Sequence, residues 1–205
     1  EYAALSRLHD VRSIPFMIST LRRQAASCIF GLAPYFKDLV ERRLAAVEGE
    51  TEFDADSIDI NDNNADILEK LGKRMIELAE NLPDEDPKIE SIIEIVREKQ
   101  SYDNNKIILF SSFRRTLDYV EKKLSDCGFR VAQINGGVKD DTRWALRQRF
   151  EKPKGDPDAL DILLFTEVGS EGLDYQFCNL MINYDLPWNP MRIEQRIGRI
   201  DRRGQ

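Results

Sequence analysis

Two spacings of apolar residues divide this chain. Before about residue 86 the spacing is helical: Ile18, Leu21, Ala25, Cys28 and Leu32 recur at steps of three and four, which lines them along one helix face. Pro34 ends that pattern, and a second helix is predicted near residues 35–47. Helical spacing resumes around residues 64–81, stops near Pro83, and restarts after Pro87 as KIESIIEIVREKQ. Beyond residue 86 short apolar runs alternate with amphipathic stretches. KIILF (residues 106–110), FRVAQIN, DILLF and NLMINYD read as strands. TLDYVEKKL, with Leu117, Val120 and Leu124 on one side, and DDTRWALRQRF read as the helices between them.

Alternating strands and helices predict an α/β fold, a central parallel sheet flanked by helices and preceded by an α-helical segment. We divide the chain into a helical connecting segment (1–47), an acidic linker or mobile loop (48–66), a helical segment (67–85) and an α/β domain (86–205). In open parallel sheets, ligands gather beyond the carboxyl ends of the strands. The segments SSFR, NGGVKD and TEVGSEGLD each follow a predicted strand, so all three are expected along one edge of the sheet.

The chain's end adds an arginine-bearing helix to that edge. In PWNPMRIEQRIGRIDRRGQ, Asn189 can cap free backbone N–H groups and Pro190 suits the first helical position. At helical spacing Ile193, Ile197 and Ile200 form an apolar stripe, with Arg192, Arg196, Arg199 and Arg203 beside it and Arg202 at the cluster's edge. These arginines lack same-face acidic partners at i±4, and Gly198 leaves room for close approach, so an external anion is the expected partner. From the residues alone that anion is either a nucleic-acid phosphate or a nucleotide.

Composition narrows the chemistry. The net charge of −7 is concentrated early, with 10 Lys/Arg against 18 Asp/Glu in residues 1–87 and 20 against 19 in the rest. Residues 48–66 alone hold eight acids and no Lys or Arg. Nucleic-acid contact would therefore have to come from local features rather than from global charge. Cys28, Cys127 and Cys178 are odd in number and lack C-x-x-C spacing, so neither a disulfide framework nor a zinc site is indicated. With His9 as the single histidine, zinc-protease and His-based triad chemistry are excluded, and no metal ligands are predicted. No apolar run reaches the roughly 20 residues of a membrane span, and no signal-peptide pattern opens the chain, so we expect a cytoplasmic protein with no membrane partner. The sequence is read as a fragment of a longer protein.

Taken together, three segments resemble the second RecA-like lobe of superfamily-two helicases and nucleic-acid translocases. KIILFSSFRRTLDYVEKKL is similar to the fourth helicase motif, DILLFTEVGSEGLD to the fifth and EQRIGRIDRRGQ to the sixth, in the family's order and spacing. DLPWNP followed by QRIGRIDRRGQ looks like the Swi/Snf-type translocases, and EVGSEGLDYQF most resembles their bacterial branch, which includes the RNA-polymerase-recycling ATPase. Asp174 departs from the Asn of eukaryotic remodellers, and Asn135 stands where many relatives carry His. The resemblance covers residues 86–205; before that, PFMISTLRRQ is only loosely similar to the connection between lobes.

This resemblance implies a nucleic-acid-stimulated ATPase whose arginine fingers are Arg199 and Arg202, with Gly172, Asp174 and Gln195 completing the ATP side. It implies a nucleic-acid track at Ser111, Ser112, Gly136, Arg143 and Thr166, with double-stranded DNA as partner and a nucleoid-associated location. Arg196 is expected either at the same interface or paired with an acid inside the lobe. Trp188 is expected as a packed aromatic. No G-x-x-x-x-G-K-[ST] loop occurs, and Asp84-Glu85 follows a Pro-bearing turn rather than a buried strand. ATP and Mg2+ are therefore expected on a first RecA-like lobe outside this sequence, and this chain alone, expected to be monomeric, should not hydrolyse ATP. The competing reading is a non-catalytic binding or scaffold module on the same fold. A dinucleotide-binding domain would need a G-x-G-x-x-G turn after the first strand, which SSFRRT lacks.

Overall fold

The structure is a computed structural model that describes residues 13–32, 74, 77, 78, 81–83, 85–166 and 175–201. Two compact units divide the chain, Glu1–Asp84 and Glu85–Gln205. In the first, helix α1 (Ser13–Ser27) carries the helical spacing read in the sequence, and Gln24, Ser27, Cys28 and Leu32 are buried. The predicted helix at 35–47 and the acidic segment 48–66 lie outside the described residues.

The second unit opens with a capped helix. Asp86 accepts hydrogen bonds from the backbone of Lys88 (3.0 Å) and Ile89 (3.4 Å), and Pro87 takes the first position of α2 (Pro87–Lys99). The order that follows is β1 (Ile107–Phe110), α3 (Arg114–Asp126), β2 (Val131–Ile134), α4 (Asp140–Glu151), β3 (Ile162–Phe165), β4 (Met181–Asn183) and α5 (Pro190–Ile197). The four strands form one all-parallel sheet in the order β2-β3-β1-β4. IILF and ILLF are buried along their whole lengths because both faces of the sheet's centre are covered, so the strands show no polar alternation.

One face packs Ile108, Phe110, Ile134, Leu163 and Phe165 against Phe150 of α4 and against Tyr175 and Cys178. From the helices beside the sheet, Ile89, Ile92 and Val96 of α2 and Leu117, Val120 and Leu124 of α3 bury their apolar sides. The turn from α3 into β2 uses Gly128 at φ +85°, the left-handed conformation that spares a Cβ clash.

A polar clamp ties the amino ends of three strands together. Buried Asp161 accepts from Asn105 Nδ2 at 2.6 Å and from Arg130 Nε and Nη2 at 2.9 and 2.6 Å, while Arg130 also donates to the carbonyl of Asp156 at 2.6 Å. Burial alone would raise the Asp161 carboxyl, but the hydrogen bonds and charge of Arg130 outweigh it and hold the group below the usual carboxylate range.

Candidate functional site

Strand register brings the first residues of the predicted segments into one row. Phe110 pairs with both Phe165 and Asn183, and Phe165 pairs with Ile134, so the next residues, Ser111, Thr166, Tyr184 and Asn135, leave the sheet side by side. Backbone bonds continue the ladder past the strands: Ser111 N to Phe165 O (3.1 Å), Tyr184 N to Phe110 O (2.8 Å) and Thr166 N to Ile134 O (3.3 Å).

Ser111 is fully buried. Its hydroxyl donates to Asp185 Oδ2 at 2.5 Å and accepts from Phe113 N at 3.2 Å, so its hydrogen-bonding capacity is turned inward. Half-buried Ser112 is the outward member of the pair, and its N–H reaches Asp185 Oδ2 at 3.3 Å. Thr166, the residue after β3, is also buried. Gly136 lies exposed in the turn before α4. Arg143 points back at that turn, donating to the carbonyls of Val138 (2.9 Å), Asn135 (3.1 Å) and Gly136 (3.4 Å). It therefore shapes the turn through those bonds. Asp140 and Asp141 occupy the first turn of α4, where they suit the helix dipole and oppose an anion placed on the helix axis.

At α3 the opposite holds. Its first turn carries no acid and holds Arg114 and Arg115, and Phe113 at its cap provides no side-chain hydrogen bond. Basic residues at a helix start run against the dipole, a signal present in SSFRRT that the motif reading passed over.

Helix α5 begins as its sequence predicts, with Asn189 Oδ1 accepting from Met191 N at 3.0 Å and Pro190 at the first position. It ends at Ile197, however, so Arg199 sits in the following turn and not on the helix. The apolar stripe is also corrected. Ile197 is 41% exposed, whereas Arg196 is 2% exposed, because its guanidinium lies 4.9 Å from the Phe110 ring centre and donates to Asn183 Oδ1 (2.5 Å) and the Asp185 carbonyl (3.3 Å). Arg196 is thus a packed residue inside the lobe, held by an amide and a carbonyl. Half-buried Arg199 has its backbone fixed by Tyr175 N at 2.9 Å, and among the described residues none pairs with its guanidinium. Burial pushes the Tyr175 phenol well up, and the charges of Arg147, Arg143 and Arg199 pull it partly back, which sets those three cations around it. Gln195 is exposed on α5. Gly172, Asp174 and Arg202 lie outside the described residues, as does Arg203.

Trp188 contradicts its expectation outright. It is 93% exposed, between exposed Leu186 and Met191 in the stretch that joins β4 to α5. Among the described residues no cluster of His, Cys, Asp or Glu is suited to a metal ion, and no helix is long and apolar enough to cross a membrane.

An all-parallel sheet flanked by helices and followed by an arginine-bearing helix has the fold of a RecA-like lobe. Residues 87–204 match the helicase conserved C-terminal domain, and the chain belongs to that family. Over 207 aligned positions it is 32% identical to an uncharacterized ATP-dependent helicase, YqhH of Bacillus subtilis (strain 168); the alignment takes in the whole of this chain and 32% of that protein. It is 34% identical over 121 residues to the RNA polymerase-associated protein RapA of Vibrio campbellii, covering 58% of this chain and 12% of RapA. The chain thus spans about a third or less of these relatives. Among solved structures, the C-terminal part of the Fun30 ATPase domain shares the fold, with a TM-score of 0.52 and 20% identity over 71% of this chain and 47% of that one.

Proposed function

We propose that this chain is the C-terminal motor lobe of an ATP-dependent translocase or remodeller acting on double-stranded DNA, within a longer, nucleoid-associated cytoplasmic protein. Residues 86–205 form the motor lobe in this reading. Residues 1–47 and 67–85 are its helical connection, and 48–66 an acidic linker. The observation that carries the proposal is Arg199: a guanidinium on a turn whose backbone is bonded to Tyr175, without a partner among the described residues, close to an Arg196 that is buried against Phe110 and Asn183.

Charge on a transferring phosphoryl group is stabilised by cations brought in from outside the nucleotide's own lobe. Arg199 and Arg202 take that role, with Gln195, Gly172 and Asp174 on the same side. The sequence has no phosphate-binding loop, so in this reading ATP and Mg2+ are held mainly by a first RecA-like lobe. When bound, ATP supplies the phosphoryl group, and this chain orients it and offsets its charge.

The nucleic-acid track runs along the strand ends through Ser112, Gly136 and the backbone near Thr166. Ser111 and Arg143 hold the loops that form it. Such contacts meet phosphates and carry no sequence information. Exposed Trp188 and Arg114 extend the same edge. The test compares this chain with the full-length protein. The lobe alone should show no ATP turnover above buffer, and the full-length protein should show turnover that rises with duplex DNA. Turnover by the isolated lobe, free of contaminating enzyme, would overturn the reading.

A further inference from the structure

The loop after β4 carries Asp185, the first residue of DLPWNP, to which the sequence assigned no role. Asp185 is half-buried and touches three elements at once. Its Oδ2 accepts from the Ser111 hydroxyl at 2.5 Å and from Ser112 N at 3.3 Å, which fixes the turn after β1. Its backbone carbonyl accepts from Arg196 Nη1 at 3.3 Å, which fixes α5. Its Oδ1 lies 4.0 Å from Lys88 Nζ, and that ammonium also sits 3.7 Å from the ring centre of neighbouring Tyr184, so the start of α2 closes on the same point.

We infer that Asp185 is the positioning residue that holds the nucleic-acid turn at Ser111-Ser112 in a fixed relation to the Arg196–Arg199 segment. The inference rests on the proposed function and deepens it, since it names the tie between the phosphate-contacting edge and the arginine that faces nucleotide. A carboxylate suits the place for a physical reason. One oxygen takes two donors from one loop, while the other stays near a cation, and a charged acceptor makes each hydrogen bond shorter and stronger than a neutral one does. Phe110 completes the frame: its backbone carbonyl holds Tyr184 N at 2.8 Å while its ring lies under Arg196. A shift of the β1 turn thus reaches α5 through two short paths, one through Asp185 and one through Phe110.

The test uses the full-length protein, with ATP turnover measured against duplex DNA concentration at a temperature where every variant is shown to be folded. Asp185→Ala should lower maximal turnover and raise the DNA concentration needed for half-activation, each by about ten- to a hundredfold, since a misplacement of about 1 Å can cost about a hundredfold. Asp185→Asn keeps an acceptor for Ser111 and Ser112 and should recover most of both. Ser111→Ala should reproduce the Asp185→Ala defect in part, and the double variant should be no worse than Asp185→Ala alone, because both sever one tie. If Asp185→Ala loses melting temperature but keeps both kinetic values, or if the two substitutions add independently, the inference fails. Arg199→Ala in the same assay separates the two claims: normal turnover there sinks the functional reading itself, whereas loss there with normal Asp185→Ala sinks only this tie.

Discussion

Arg196 and Arg199 stand three residues apart and meet opposite surroundings. Arg196 spends its guanidinium on Asn183, the Asp185 carbonyl and the Phe110 ring, so its removal leaves a buried hole and orphaned acceptors. We expect Arg196→Ala to cost about 3 kcal/mol of stability, read by denaturant unfolding of the lobe. Arg199→Ala should leave unfolding within about 0.5 kcal/mol, as a solvent-reachable side chain without a described partner contributes little to the fold. Gly198, between them, has φ −60°, and a Cβ built there would sit 3.4 Å from the Glu194 carbonyl, which is ordinary contact. Nothing in the described lobe requires glycine at this position. Gly198→Ala should therefore fold normally or gain a few tenths of a kcal/mol. A loss of nucleic-acid-stimulated turnover in that stable variant would locate the close approach of a ligand or another backbone at residue 198.

At the level of elements, the pattern of the chain was informative where local rules decide. All four apolar runs became strands, and the Asn189-Pro190 start of α5 formed as its cap chemistry requires. What periodicity misjudged were choices made by tertiary contact. Ile197 turned outward and Arg196 inward because an aromatic ring, an amide and a carbonyl wait beneath it, and none of these is visible from helical spacing. Trp188 was expected as a packed aromatic beside the motif, yet it stands exposed between β4 and α5. Ser111 was legible as a strand-end hydroxyl, but its partner lies 74 residues away in the chain. Opposite the functional edge, the Asp161–Arg130 clamp yields a pH signature. Because the folded carboxyl is held below its ordinary value, its contribution is present above about pH 4 and is lost as pH falls through the lowered folded value. Asp161→Asn should cost about 2 kcal/mol at neutral pH, discounted for the partly exposed Arg130, and the gap to the parent should close in acid, below the lowered folded value. An equal gap at both pH values, measured by thermal unfolding, would deny the carboxylate that role.

For the whole molecule, the sheet separates two tasks. Its amino end is locked by Asp161, Arg130, Asn105 and Lys106, and its carboxyl end carries the strand-end residues to which we assign contacts with other molecules. Family membership and fold are consistent with one lobe of a two-lobe motor, and the central claim is that Arg199 crosses to a nucleotide held by the other. The most direct measurement is steady-state ATP turnover of the full-length protein carrying Arg199→Ala, with duplex-DNA binding measured in parallel. Our account expects DNA-stimulated turnover to fall by about three orders of magnitude or more, the usual weight of an arginine finger, with DNA affinity changed by only a few fold. Unchanged turnover at unchanged DNA affinity would contradict it and favour a non-catalytic module built on the same lobe.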